Sequence, residues 1–333
     1  MRVGVIGYGY WGPNLVRNFA QTDGVDVVWC ADLRAECRSL AKKRHPQASV
    51  TADASDLFND ETLDAVVVAT PVATHYSLVK PALEHGKHVL VEKPMAASVR
   101  EGEELLDLAQ KKGLVLMVDH TFIYTGAVRK IKEIVEAGEL GNLYYFDSVR
   151  VNLGLFQHDT DVLWDLAPHD FSILMHLVKE RPKCVSAMGS DHTGSGFADM
   201  AYLTVQFPNH FIAHVHVNWL SPVKIRQVLI GGDRRMLVYD DMEPSEKVRV
   251  YDSGVTVSTR EGIYGVLVDY RTGDMRAPKL EFREALSTEC AHFVECVRLK
   301  KTPWTNAEAG LMVVRLLEAA ARSLAAQGAR IPV

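Results

Sequence analysis

Short runs of β-branched residues alternate with amphipathic stretches through the first third of the chain. Residues 2–6 read as a strand, followed by glycines and a helix through Leu15 and Phe19. A second strand spans 25–31 and a helix 34–45. Residues 64–69, with Val66, Val67 and Val68 in succession, have the unbroken apolar character of a strand buried on both faces. A helix over about 73–84 stops at Gly86, and a strand follows at 88–91. The helix over 99–112 stops at Gly113, and 114–118 is a further strand. Such alternation predicts a doubly wound parallel sheet with helices on both faces.

Beyond residue 120 the texture changes. Residues 128–137 are helical and end at Gly138, 143–151 form a strand, and 162–178 are helical again. Short alternating runs then follow at 183–188, 200–207, 211–218, 226–230, 236–239 and 247–251, punctuated by Gly, Pro, Asp and Asn. Successive strands with one long helix beside them predict an α+β domain with a large, mostly antiparallel, open-faced sheet. Helices at 282–298 and 307–326 close the chain. The expected division is 1–120, 121–305, and a final segment, 306–333, whose helix packs back on the first domain.

Composition narrows the function. A length of 333 residues suits two domains and a core that needs no disulfides. Apolar residues make up 47% and charged residues 24%, ordinary for a globular protein. A net charge of −5 argues against a broadly basic nucleic-acid binder. No apolar run approaches the ~18 residues of a membrane span. Arg2 is followed within a few residues by glycine rather than by a signal peptide's apolar middle, so a cytoplasmic protein is expected. The five cysteines include no C-x-x-C pair and read as free thiols. His214 and His216 share a strand face but have no third ligand at metal spacing, so no metal is expected.

The chemistry begins at Gly7-Tyr8-Gly9-Tyr10-Trp11-Gly12, which follows the first strand and opens the first helix. Gly7 permits the tight turn, Gly9 lets backbone approach a pyrophosphate, and Gly12 lets helix pack on strand. Tyr10 and Trp11 flank the same turn. The helix N-terminus presents unpaired N–H groups to the phosphates. Asp32 ends the second strand, where a carboxylate accepts the ribose hydroxyls and repels a 2′-phosphate. Arg34 lies two residues on and could pair with that phosphate. The expected cofactor is NAD, with NADP less favoured.

Two further motifs sit at strand ends, where open α/β sheets bind ligands. They are Thr70-Pro71-Val72-Ala73-Thr74-His75 and Glu92-Lys93-Pro94. With the glycine loop and the C-terminal sheet domain, they resemble the glucose–fructose oxidoreductase, inositol dehydrogenase and MocA (Gfo/Idh/MocA) family across essentially the whole chain. The resemblance implies a Rossmann domain in which Thr70 and Pro71 flank the nicotinamide and His75 lies near the same pocket. Glu92, Lys93 and Pro94 line it, with Lys93 reaching the nicotinamide ribose and the substrate hydroxyl. A cation there would stabilise a developing alkoxide.

In Trp164-Asp165-Leu166-Ala167-Pro168-His169-Asp170, Asp165 and His169 have i, i+4 spacing and share a face if one helix holds both. Pro168 favours a helix that starts there, which would leave Asp165 in the preceding loop. The resemblance makes this pair the catalytic dyad, with His169 as general base and Asp165 orienting it. Ala167 and Ser172 depart from the family's usual Gly and Asp. Candidate substrate contacts are His120, Tyr124, Arg150, Asn152 and Trp164, with Gln157, His158 and Asp161 following, and Arg150 or Arg129 available for an anionic group. Trp219 is either a stacking platform or core.

The run from His120 to Ser172 resembles members that oxidise the 3-hydroxyl of a UDP-N-acetylamino sugar, UDP-N-acetylglucosamine or its uronic acid, in surface-polysaccharide pathways. Inositol or free-sugar oxidation, 3-keto-sugar reduction and NAD-dependent glycoside cleavage are the alternatives. The resemblance also implies a homodimer or homotetramer formed through the C-terminal sheet.

Overall fold

The structure is a computed structural model that describes residues 1–154, 160–259 and 266–333. The chain divides into two compact units, 1–125 with 283–315, and 126–282 with 316–333.

In the first unit, strands β1 (Arg2–Ile6), β2 (Asp26–Ala31), β3 (Ser49–Thr51), β4 (Ala65–Val68), β5 (His88–Glu92) and β6 (Leu116–Asp119) form one sheet in the order β3-β2-β1-β4-β5-β6. Every pairing is parallel. This is the doubly wound order of dinucleotide-binding domains, whose crevice opens at the carboxyl ends of the strands where the order reverses. The intervening helices are α1 (Gly12–Ala20), α2 (Ala35–Arg44), α3 (Ser55–Asn59), α4 (His75–Glu84) and α5 (Val99–Lys112). The valine run on β4 is wholly buried, as the sequence predicts for a central strand. At the end of α5, Gly113 takes the left-handed conformation that closes a helix without a Cβ penalty.

The second unit opens with α6 (Gly126–Glu136), β7 (Leu143–Leu153) and α7 (Val162–Leu177). Strands β8 (Cys184–Ser190), β9 (Met200–Gln206), β10 (Ile212–Asn218), β11 (Leu220–Gly232), β12 (Met236–Asp240) and β13 (Val248–Tyr251) follow. Then come β14 (Gly254–Thr259), β15 (Val266–Arg271) and β16 (Met275–Arg276). The chain ends with α8 (Ala285–Leu299), α9 (Ala307–Ala325) and β17 (Ile331–Pro332). Nine of these strands make a sheet ordered β16-β13-β12-β11-β7-β10-β9-β8-β17, and β14 and β15 pair separately. Only β7 and β10 run parallel within the nine. Strand alternation gives this sheet a covered and an open face: Val185, Ala187, Ala201, Leu203, Val205, Ala213, Val215 and Val217 are buried, and α7 packs on β7, β9 and β10.

Two expectations shift. Residues 283–305 group with the first unit rather than the second, because α8 packs along α1, where Phe293 meets Phe19 edge-on. The last helix is divided rather than assigned whole: α9 belongs to the first unit through Arg315 and to the second from Leu316. All five cysteines are free, and among the described residues no helix is long and apolar enough to cross a membrane.

Candidate functional site

The turn after β1 needs glycine for steric reasons. Gly7 has φ +96°, and a Cβ there would lie 2.3 Å from the Ala69 carbonyl oxygen. A Cβ on Gly12 would lie 2.1 Å from the Gly7 carbonyl oxygen. The helix this turn opens has no side-chain cap and no acidic residue in its first turn, and Pro13 removes one donor that would be orphaned anyway. Its N-terminus is therefore left for an anion, and the cradle fits a pyrophosphate. Tyr10 stands fully out from the turn, while the Trp11 indole N–H donates to Asp119 Oδ2 at 3.0 Å.

Asp32 sits at the mouth of this cradle. Its carboxylate accepts from the Tyr8 backbone N–H at 2.8 Å and the Arg34 backbone N–H at 2.9 Å. The Arg34 guanidinium closes a two-pronged pair at 3.1 and 3.2 Å. Burial pushes the Asp32 carboxyl up, but the Arg34 side chain and the two N–H groups outweigh it and hold the group below the ordinary range. Arg34 is thus spent on Asp32, an arrangement that suits ribose hydroxyls rather than a 2′-phosphate.

At the ends of β4 and β5, His75 joins the two loops carrying the other cofactor candidates. Its Nε2 meets the Thr70 carbonyl and its Nδ1 the Pro94 carbonyl, each at 2.8 Å. The ring is buried, and burial keeps it below its ordinary pKa. It braces Thr70-Pro71 against Lys93-Pro94 and exposes no surface to a ligand. The Lys93–Pro94 peptide is cis. Lys93 is half-buried, and its backbone N–H donates to Glu92 Oε2 at 3.2 Å.

His120, just past β6, is buried, and neither ring nitrogen has a hydrogen-bond partner among the described residues. Burial pulls its pKa down to about 4, opposed by Asp119 and aided by Lys93, so the imidazole is neutral at pH 7. Tyr124 is placed differently from the expectation of a substrate contact. It is buried, its hydroxyl bonds to His292 Nδ1 at 3.0 Å and Thr305 Oγ1 at 3.2 Å, and its ring stacks on Trp304. It holds α8 against the loop after β6.

In the second unit the Asp161 side chain caps α7 by accepting from the Trp164 backbone N–H at 2.9 Å. The helix therefore begins six residues ahead of Pro168 (168 − 162 = 6), and the proline lies in its interior. Asp165 and His169 consequently stand one turn apart on one face. Asp165 Oδ2 accepts from the Trp219 indole N–H at 3.1 Å, so the buried Trp219 holds the Asp165 side chain. Ser172 donates back to the His169 carbonyl at 2.8 Å. Trp164 on α7 and Asn152 on β7 are half-buried.

Arg150 corrects the expectation of an anion anchor. Its side chain is 4% exposed and makes a bidentate pair with Asp170, itself 1% exposed, at 2.8 and 3.1 Å. Ser148 donates to the same carboxylate at 2.7 Å. Arg129, the other candidate, pairs with Glu281 at 2.8 Å. Gln157 and His158 lie outside the described residues. Among those described, no group of three or more His, Cys, Asp or Glu could hold a metal. The sequence reading missed Asp119, Asp170 and Glu289. Only their place at a strand end or one turn along a helix hinted at them, and that pattern fits many solvated acids.

Comparison with known proteins gives this geometry a context. Residues 1–120 match the family described as "Oxidoreductase family, NAD-binding Rossmann fold", and residues 128–238 match the "GFO/IDH/MocA C-terminal domain". The uncharacterized oxidoreductase YrbE of Bacillus subtilis is 27% identical, over 97% of this chain and 94% of its own. Myo-inositol 2-dehydrogenase of Thermotoga maritima is 25% identical, over 97% of this chain and 96% of its own. The solved structure of the UDP-N-acetylglucosamine 3-dehydrogenase GnnA from Acidithiobacillus ferrooxidans aligns with a TM-score of 0.82 at 25% identity, covering 98% of each chain.

Proposed function

The chain belongs to the Gfo/Idh/MocA family of NAD-dependent oxidoreductases, and on that premise we propose that it oxidises a secondary hydroxyl of a sugar-like substrate. The specific substrate we propose is the 3-hydroxyl of a UDP-N-acetylamino sugar. The observation that carries the redox assignment is the pyrophosphate cradle of Gly7 and Gly12, open at the α1 N-terminus and bordered by Asp32. The nucleotide-sugar assignment draws on the likeness to GnnA.

NAD, when bound, supplies the hydride-accepting chemistry. The protein's own groups handle charge and proton. Lys93 places a cation beside the reacting oxygen and stabilises negative charge as it develops there. His169 accepts the hydroxyl proton at a ring nitrogen, the task for which an imidazole's ordinary pKa is suited. Asp165 orients that ring and is itself held at Oδ2 by Trp219.

A second reading, inositol oxidation, is favoured by the equal identity of the myo-inositol 2-dehydrogenase. A panel of UDP-N-acetylglucosamine, its uronic acid, myo- and scyllo-inositol and free glucose, incubated with NAD and followed by product mass, separates the two. A UDP-sugar product two hydrogens lighter supports the first reading, and an inositol product replaces it with the second. Lys93→Ala is expected to lower kcat by about a hundredfold, the scale of a group that stabilises developing charge. Turnover near the unaltered enzyme's removes Lys93 from the mechanism. KM should be lower for NAD than for NADP; the reverse preference contradicts the role given to the Asp32–Arg34 pair.

A further inference from the structure

The register of β5 and β6 sets Glu92 opposite Asp119, so two carboxyl groups leave adjacent strand ends side by side. A third, Glu289, comes from α8 and is fully buried. Asp119 lies at the centre and interacts electrostatically with both glutamates. Its Oδ1 also accepts from the Thr121 hydroxyl at 2.5 Å and its Oδ2 from the Trp11 indole at 3.0 Å. Glu92 Oε1 and both Glu289 oxygens are sealed from solvent and have no hydrogen-bond partner among the described residues.

Three carboxyl groups grouped this way, two buried and the third half-buried, cannot all be ionised. Burial first, and then Asp119, push Glu92 and Glu289 well above the ordinary carboxylate range, while the neighbouring Lys93 opposes this at Glu92. Both glutamates are thereby biased toward the neutral acid form. Asp119 thus holds Trp11 through one oxygen and Thr121 through the other.

Trp11 lies between Gly9 and Gly12, in the turn that cradles the pyrophosphate. Glycines permit that turn but cannot tether it, since they carry no side chain. We propose that Asp119 is a positioning residue for the NAD-binding loop, fixing it through the Trp11 indole and tying it to the strand end that carries Lys93. Asp119 touches no cofactor in this scheme, and its effect reaches NAD through Trp11. The proposal rests on the glycine loop being the NAD site.

The test is calorimetric titration of NAD into the full chain and into Trp11→Phe, Asp119→Asn and the double variant, with thermal melts to establish folding. Loss of a hydrogen bond to a charged acceptor predicts NAD binding about tenfold weaker in each single variant. Trp11→Phe removes this bond and Asp119→Asn weakens it by taking away the acceptor's charge, so the double variant is expected to bind no more weakly than the worse single one. The defect falls on KM for NAD rather than on kcat at saturating NAD, a split that general destabilisation would not produce. Folded Asp119→Asn binding NAD as tightly as the unaltered chain overturns the proposal, and so do multiplicative effects in the double variant. If Asp119→Asn does not fold, Trp11→Phe decides alone: unaltered affinity overturns the tether and a tenfold loss supports it. Failure of the unaltered chain to bind NAD would instead overturn the loop as the cofactor site.

Discussion

Glu289 shows how one side chain can make the stability of a whole unit depend on pH. Burial and the adjacent Asp119 raise its carboxyl well above its ordinary value of 4.5, so the folded chain holds a proton that the unfolded chain releases. Its stabilising contribution is complete below the unfolded value and is lost as pH rises toward the folded one. Glu289→Gln keeps the shape and the donor but cannot ionise. Urea denaturation from about pH 5 to 8 should show the natural chain losing stability relative to this variant, by up to about 1.4 kcal/mol per pH unit. Parallel pH profiles would contradict a protonated Glu289. At this scale the sequence was informative wherever chemistry depends on local spacing. Gly7, Gly12 and Asp32 reveal themselves because a turn, a close approach and a strand end are local events. Arg150 misled because its partner, Asp170, lies on a different element, and nothing in the sequence distinguishes a buried, paired arginine from one poised for a ligand. Tyr124 misled for the same reason, its partners His292 and Thr305 being far along the chain.

Among the elements, α7 is the one whose placement matters most to the proposed chemistry. The sequence carried two conflicting signals for its start, the helical pattern over 162–178 and Pro168 as a first-turn residue, and the structure starts it at Val162 with Asp161 as the cap. An Asp side chain accepting a backbone N–H stabilises a helix start by about 1 kcal/mol, and the buried Val162 and Leu163 add to it. Register on the sheet is then set by the Arg150–Asp170 pair, which pins α7 to β7 one residue past His169. Asp170→Ala would leave a buried guanidinium uncompensated, so a loss of about 3–5 kcal/mol is expected in urea titration. A loss under about 1 kcal/mol would mean that solvent reaches Arg150 and that the pair does not anchor the helix. The boundaries of α5 and α9 were readable because apolar periodicity and a glycine beyond the C-terminus mark them. The short β3 and the full extent of β11 were not, since three residues carry no period and Pro222 interrupts the pattern of the longer strand.

For the whole molecule, the parallel sheet was legible because each βαβ step is written in contiguous sequence. The nine-strand order was not, since it depends on β7 pairing with β10 and β11, strands that lie far along the chain. The sheet's open face carries a row in register, Met188, Tyr202 and His216, with Tyr202 stacked 4.2 Å from the His216 ring. Met188 is 66% exposed, Tyr202 44% and the nearby Ile212 42%. Apolar side chains grouped on an open sheet mark an interface, and we propose that copies of the chain pair through this face. Light scattering should give a dimer or tetramer mass that Tyr202→Glu lowers. A monomer at working concentration would contradict the pairing.

The central claim, oxidation of a sugar hydroxyl by a residue-organised NAD site, is tested most directly by following NADH absorbance and product mass together, for the natural chain and His169→Ala. The expected result is NADH formed in step with a product two hydrogens lighter, and both lost in the variant. Cleaved glycosides with NAD bound but no net NADH, or no oxidised product from any sugar or polyol despite bound NAD, would contradict it.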